Sequence, residues 1–145
     1  MRALLLVVLM FPRVSLADEN TRTKWLPVVM SASEHYGLDW KLLDAIIQVE
    51  SGWNEQYKTE TGVGIAQLNP SMVSKLKVRK PLDPGQNIWG AALYLKQLNV
   101  RLCNWRLVLA AYNSGRHDRR TYIDQVTRMW DSIEAQMISS CRRKQ

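Results

Sequence analysis

Glu50 is the residue whose position in this chain first points to chemistry. It lies one step further along the apolar register of Leu42, Leu43, Ile46 and Ile47, where a buried helical stripe would next place Val or Leu. A carboxyl group set among apolar neighbours has its charged form disfavoured, so its affinity for a proton rises toward neutrality. A general acid that must protonate a sugar oxygen near pH 7 needs that property. Taken by itself, a glutamate at a helix end turned to solvent is the plainer reading. The other polar residues come in a compact order. Ser51 adjoins Glu50, Thr59, Glu60 and Gln67 lie in a glycine-containing stretch, Asn87 comes just after a Pro-Gly pair, and Tyr112-Asn113 ends an apolar run.

The elements that must position these residues are helical almost throughout. Pro27 fits the first turn of a helix running to about Tyr36, with Gly37 in the left-handed position after its end. Asp39 caps a second helix that carries Glu50 and stops at Gly52. From Trp53 to Leu68 the helical period is lost, and Thr59, Thr61, Gly62 and Gly64 predict a turn-rich loop or short hairpin. A helix of about two turns starts after Pro70, and Asp83-Pro84-Gly85 breaks it. Ile88, Ala91, Ala92, Leu95 and Leu98 share one face of the next helix. Asn104 caps another, through Trp105, Val108, Leu109 and Tyr112. Tyr122, Val126, Met129, Trp130, Ile133 and Met137 line the last. The expected class is mainly α (α+β in the lysozyme-like sense): a compact helical domain with at most a small β-hairpin or loop element around residues 55–68.

Met1-Arg2, the apolar run Ala3–Phe11 and the small residues Ser15 and Ala17 read as a secretory signal peptide, residues 1–17, cut before Asp18. The apolar run is nine residues, against the roughly 20 of a spanning helix. Residues 18–145 then form one domain, large enough for one core. That product is expected to be exported and periplasmic, with no stable membrane anchor. Cys103 and Cys141, an even count in an exported chain, favour a disulfide. Closing that loop would stabilise the fold by about 3–4 kcal/mol on the chain-entropy model. Such wide spacing, with only two histidines, makes a metal site unexpected. Without Arg2 and Arg13 the chain keeps 18 basic against 13 acidic residues, a net of +5. The excess gathers at Lys75–Lys80, Arg116–Arg120 and Arg142–Lys144, a distribution that suits polyanions such as acidic wall polymers or an anionic membrane face. No signature of a nucleic-acid module accompanies it, so no nucleic-acid partner is expected.

Four motifs, in order, carry a resemblance. They are Ile47–Asn54 with its Glu50-Ser51 pair, Gly62–Pro70 with Gln67, Asp83-Pro84 with Asn87-Ile88 and Gly90 after it, and Ala110–Gly115 with Tyr112-Asn113. Together, over about residues 38 to 130, they resemble the soluble lytic transglycosylases, whose fold is goose-type-lysozyme-like, and in particular the small members associated with secretion, conjugation or pilus systems. The resemblance implies that Glu50 protonates the glycosidic oxygen and later acts as base. It implies that Ser51 supports the helix end, that Gln67 lines the substrate groove and that Thr59 stands where a substrate-contacting serine is usual. Tyr112 would set the position and proton affinity of Glu50, Asn113 would orient the sugar, and Asn87 would be structural. The spacing of 17 between Glu50 and Gln67 is one shorter than the family's usual pattern. The implied reaction is cleavage of the N-acetylmuramic acid–N-acetylglucosamine β-1,4 bond with a 1,6-anhydro end, without cofactor or metal. Glu60 is a possible second carboxylate, and with it the chain would be a hydrolytic lysozyme-type muramidase. A third reading, from another class, is a non-catalytic wall-binding or scaffold protein of a secretion system. The implied partners are peptidoglycan glycan strands, with the components of such a machine as possible further ones, and the expected state is a monomer.

Overall fold

The computed structural model describes residues 16–113 and 118–142, with side chains from 19 to 113 and from 118 to 136. Residues 1–15 of the expected leader, the Ser114-Gly115 end of the fourth motif, the Cys141 side chain and most of the Arg142–Lys144 cluster lie outside these residues. Six helices are seen: α1 (Leu16–Tyr36), α2 (Trp40–Ser51), α3 (Pro70–Lys75), α4 (Pro84–Leu102), α5 (Trp105–Asn113) and α6 (Arg119–Arg142). Among the described residues the β component is two isolated antiparallel bridges, Lys58–Val63 and Val63–Leu68. The mainly helical expectation, with a small β element between 55 and 68, matches this architecture.

Local signals set the helix ends. Asp39 accepts from Lys41 N at 2.9 Å to cap α2. Gly52, at φ 59°, ends that helix with its N–H on the Gln48 carbonyl. At the end of α1, Gly37 takes φ 65° and Leu38 N reaches back to Ser33 O at 2.8 Å. Two boundaries differ from expectation. Pro27 lies inside α1 rather than at its start; the residues before it continue the helix, despite the amide donor that Pro lacks. Asp83-Pro84-Gly85 starts a helix instead of merely breaking one. The Asp83 side chain accepts from Gln86 N at 2.8 Å, and Pro84 occupies the first helical turn, where no N–H is required.

Helix contacts close into a ring. α1 packs on α2, α2 on α6, α6 on α5, α5 on α4, and α4 back on α1. Inside the ring lie Leu42, Leu43, Ile46, Ile47, Ile88, Leu95, Leu109 and Val126, all essentially inaccessible to solvent. Burying each such aliphatic side chain contributes roughly 1.5–3 kcal/mol. Polar links fix the first half of α2 to its neighbours on both sides. Arg22 of α1 donates through Nε to Asp44 Oδ1 at 3.0 Å, and its Nη2 pairs with Oδ2. Asp39 accepts from Trp130 Nε1 of α6 at 2.9 Å, and Lys41 pairs with Glu134 at 3.0 Å. Cys103 is exposed at the left-handed C-cap of α4, its Sγ 3.7 Å from the Val100 carbonyl.

Candidate active site

Of the six buried polar or charged side chains among the described residues, four are positions singled out in the sequence: Glu50, Gln67, Asn87 and Asn113. Burial of such groups is costly unless they are hydrogen-bonded. Their partners show what the fold is arranged around.

Glu50 ends the buried stripe of α2 and is 6 % exposed. The hydroxyl of Tyr122 on α6 donates to its Oε1 at 2.9 Å. Burial disfavours the carboxylate, whereas a donated hydrogen bond favours it, so the two influences oppose each other at one atom. The other buried carboxylate among the described residues, Asp44, is matched by the Arg22 guanidinium.

Ser51, Asn87, Gln67 and Tyr112 converge on the backbone of residues 63–66. Ser51 Oγ donates to Ile65 O at 2.6 Å, so Ser51 supports the end of α2 by tying it to this loop. Asn87 of α4 is fully buried; its Oδ1 accepts from Ala66 N at 2.8 Å. Its Nδ2 donates to Val63 O at 2.9 Å and to Pro81 O at 2.8 Å. The Tyr112 hydroxyl of α5 donates to Ala66 O at 2.8 Å. Gln67, at φ 50°, donates from Nε2 to Tyr57 O at 2.9 Å and to Gly64 O at 2.8 Å. Thr59 Oγ1 reaches Gln67 Oε1 at 3.2 Å and so joins the outer turn to the same network. Three helices and the loop's own glutamine thus bind four successive carbonyls. Gly64 is required there: it has φ +79°, and a Cβ would come within 2.3 Å of both Asn87 Nδ2 and Pro81 O.

The Tyr112 hydroxyl donates to Ala66 O of the loop, and the Tyr122 hydroxyl donates to Glu50 Oε1. By pattern alone Tyr122 is only a member of the apolar stripe of α6. The available signal was a tyrosine at a core position, since a buried phenol needs a partner for its O–H. Gln67 is 2 % exposed, with its amide nitrogen bonded to the loop's own carbonyls. Asn113 is fully buried at the end of α5. Asn87 bonds the distant loop, while Asp83 serves the Gln86 amide at the start of α4. Glu60 is exposed on the turn closed by Thr59 N and Gly62 O at 2.9 Å. No cluster of His, Cys, Asp and Glu suited to a metal ion occurs among the described residues. Nor is any helix among them long and apolar enough to cross a membrane.

Comparison with known proteins bears on this arrangement. Residues 27–133 match the family described as the transglycosylase SLT domain. The chain is 44 % identical over 93 residues to membrane-bound lytic murein transglycosylase F 1 of Alkalilimnicola ehrlichii, covering 58 % of this chain and 19 % of that protein. It is 39 % identical over 101 residues to membrane-bound lytic murein transglycosylase F of Saccharophagus degradans, covering 63 % and 20 % respectively. A transglycosylase of Enterobacteria phage PRD1 is 33 % identical over 93 residues, covering 63 % of this chain and 35 % of the phage protein. The matched region thus spans about a fifth of the length of the two bacterial relatives.

Proposed function

This chain belongs to the transglycosylase SLT domain family, and from that premise we propose that it is a peptidoglycan lytic transglycosylase using Glu50 as both acid and base. The observation that carries the reading is the buried Glu50 carboxyl, joined to the Tyr122 hydroxyl and set next to Ser51, which anchors the loop. Glu50 gives its proton to the glycosidic oxygen as the bond from N-acetylmuramic acid to N-acetylglucosamine breaks. The substrate's own N-acetyl group stabilises the positive charge that develops at the anomeric carbon, which removes the need for a second protein carboxylate. Glu50, now charged, takes the proton from the C6 hydroxyl of the muramic residue. That oxygen closes on the anomeric carbon, leaving a 1,6-anhydro end and consuming no water. Tyr122 holds the charged Glu50 between the two proton transfers by donating to Oε1.

The loop at residues 63–67 serves as a wall whose position is set from within by Ser51, Asn87, Gln67 and Tyr112. Glu60 takes no part in this scheme. Digestion of purified peptidoglycan, read by mass spectrometry, tests it: the chain yields anhydro-muropeptides, Glu60→Gln yields the same products, and Glu50→Gln yields none. Reducing-end products would establish hydrolysis instead, and equal activity of the chain and Glu50→Gln would remove the assignment.

We further infer that the protein is exported through its leader-like residues 1–17 and opens the wall locally for a secretion, conjugation or pilus apparatus. Support comes from that leader pattern and from the resemblance to small members of the family that serve such machines. Loss of assembly in a strain lacking the gene, restored by the chain but not by Glu50→Gln, is the expected result. Normal assembly in that strain would count against the role.

A further inference from the structure

The basic excess of the chain is concentrated where no acid balances it. Lys75, Lys77, Arg79 and Lys80 fall within six residues, and no carboxylate occurs between Glu60 and Asp83. All four cations are exposed, and none enters an ion pair among the described residues. Asp83 caps α4 and accepts from Gln86 N. Six residues span at most ~20 Å, about two Debye lengths at physiological salt. A polyanion therefore meets these charges as one patch.

The fold also holds this strip in place. Leu76 N, Lys77 N and Val78 N close the end of α3 on Met72 O, Ser74 O and Val73 O. Lys77 adopts φ 56°, a conformation that side chains other than glycine seldom take. Leu76 and Val78 are partly buried against the core, and Val78 seats so tightly on α4 that a Cβ at Gly90 would lie 2.7 Å from its Cγ2. Lys80 N donates to Gln86 Oε1 at 3.0 Å, and the Pro81 carbonyl receives Asn87 Nδ2. That carbonyl lies directly against Gly64 of the loop whose next residue, Ile65, bonds Ser51 beside Glu50. The strip is thus tied through a single layer of residues to the wall behind the candidate acid.

We propose that Lys75, Lys77, Arg79 and Lys80 form a docking strip for the carboxylate-bearing peptide branches of the wall polymer. The proposal rests on the transglycosylase reading of Glu50. A polymer held at Glu50 carries such branches at regular intervals, and a fixed row of point charges retains it by several weak contacts at once. Lipid is a poorer fit, because the strip's own apolar residues, Leu76 and Val78, pack against the core and leave little in it to enter a bilayer. Single-stranded nucleic acid is a poorer fit because no aromatic residue lies between Lys75 and Lys80 to stack a base.

The test compares glycan strands bearing peptides with the same strands stripped by an amidase. The protein is used as the chain and as the triple variant Lys75→Gln/Arg79→Gln/Lys80→Gln, which leaves the left-handed Lys77 untouched. The variant is expected to raise KM about tenfold on peptide-bearing strands at low salt, with kcat and the KM for stripped strands unchanged. High salt should bring the unmodified chain to the same KM. Equal KM values for chain and variant, or an equal rise on stripped strands, would overturn the proposal. So would tighter binding to phosphatidylglycerol vesicles or to a single-stranded oligonucleotide than to peptide-bearing strands. If the unmodified chain cleaves neither substrate, the transglycosylase reading fails. Co-sedimentation with insoluble wall, with and without its peptides, then still reads the strip. Should the triple variant not fold, Lys75→Arg/Lys80→Arg and the salt series on the unmodified chain decide, full retention of peptide-dependent binding and its loss in salt being expected.

Discussion

Replacing Asn87 by Asp keeps the shape of the side chain and inverts the chemistry of one atom. In the native protein Oδ1 accepts from Ala66 N at 2.8 Å, while Nδ2 donates to Val63 O at 2.9 Å and Pro81 O at 2.8 Å. With Asn87→Asp, the atom that donated twice becomes an oxygen aimed at two carbonyl oxygens in a site closed to solvent. Either the carboxylate stays charged, at a cost of several kcal/mol for an unpaired buried ion, or it keeps a proton and satisfies one carbonyl. Asn87→Ala strands Ala66 N and Pro81 O instead, while Val63 O retains Leu68 N at 3.1 Å. At about 1–3 kcal/mol for each of the two stranded groups, that variant loses about 2–6 kcal/mol. We expect Asn87→Asp to lose at least as much at pH 7, although it is the closer mimic in shape.

The pH dependence gives an independent check. The introduced carboxyl has a folded pKa above its unfolded value of about 3.9. Its destabilisation is therefore complete above the folded pKa and shrinks as pH falls through it toward the unfolded one. Urea denaturation monitored by circular dichroism, at pH 7 and again at about pH 5, should show the gap to the native protein narrowing. Stability of Asn87→Asp within about 1 kcal/mol of native at pH 7 would refute this account of Asn87, that being the size of one ordinary hydrogen bond. A gap that does not change with pH would do the same.

Three other perturbations probe the remaining polar contacts. Tyr122→Phe should lower kcat roughly tenfold or more with little change in KM, since a general acid–base contribution is about 10²–10⁴-fold and only its support is removed. Loss of the donor to Oε1 should also move the pH–rate limb governed by Glu50 upward. Arg22→Ala leaves Asp44 buried without its cation, an expected loss of about 2–4 kcal/mol after allowing for the partly exposed guanidinium; an unchanged melting temperature would contradict it. Hydrogen bonds from Trp25 and then Lys24 hold the Glu55 carboxyl below the usual carboxylate range. Because the folded pKa is depressed, the stability it contributes is present above the unfolded value, near 4.5, and is lost as pH falls through the folded one. Glu55→Gln should remove that acid limb, an effect of at most about 1 kcal/mol at this partly exposed site. Denaturation midpoints that change with acid equally in both proteins would exclude it.

The sequence revealed whatever repeats along it. The stripe of α2 placed Glu50 at its buried end, and Asp39, Gly37 and Gly52 marked helix ends through local chemistry that acts over a few residues. Asp83-Pro84 carried a start signal that reads equally as a stop, because Pro interrupts a helix arriving at it and favours a helix leaving from it. Pro27 misled for a related reason: its preference for a first turn is strong, yet α1 was already helical before it. The site itself was legible as a set of residue types but not as a set of partners. Ser51 finds Ile65, Tyr112 finds Ala66, and Tyr122 finds Glu50 at separations of 14, 46 and 72 residues. Nothing in a local pattern specifies which carbonyl or carboxyl a buried hydroxyl will meet. That is decided by the ring of helices.

The reach from Tyr122 to Glu50 has a consequence in time. α2 emerges earlier in synthesis than α6, and α6 is seated on α2 by Trp130 on Asp39 and Glu134 on Lys41. Until α6 has been made and docked, Glu50 lacks the hydroxyl donated by Tyr122. A chain in which α2 has been made but α6 has not docked therefore carries Glu50 without that hydroxyl, and on the proposed mechanism its competence for proton transfer arrives with the docking of α6. On that reading, the order in which the helices are made is itself a form of latency.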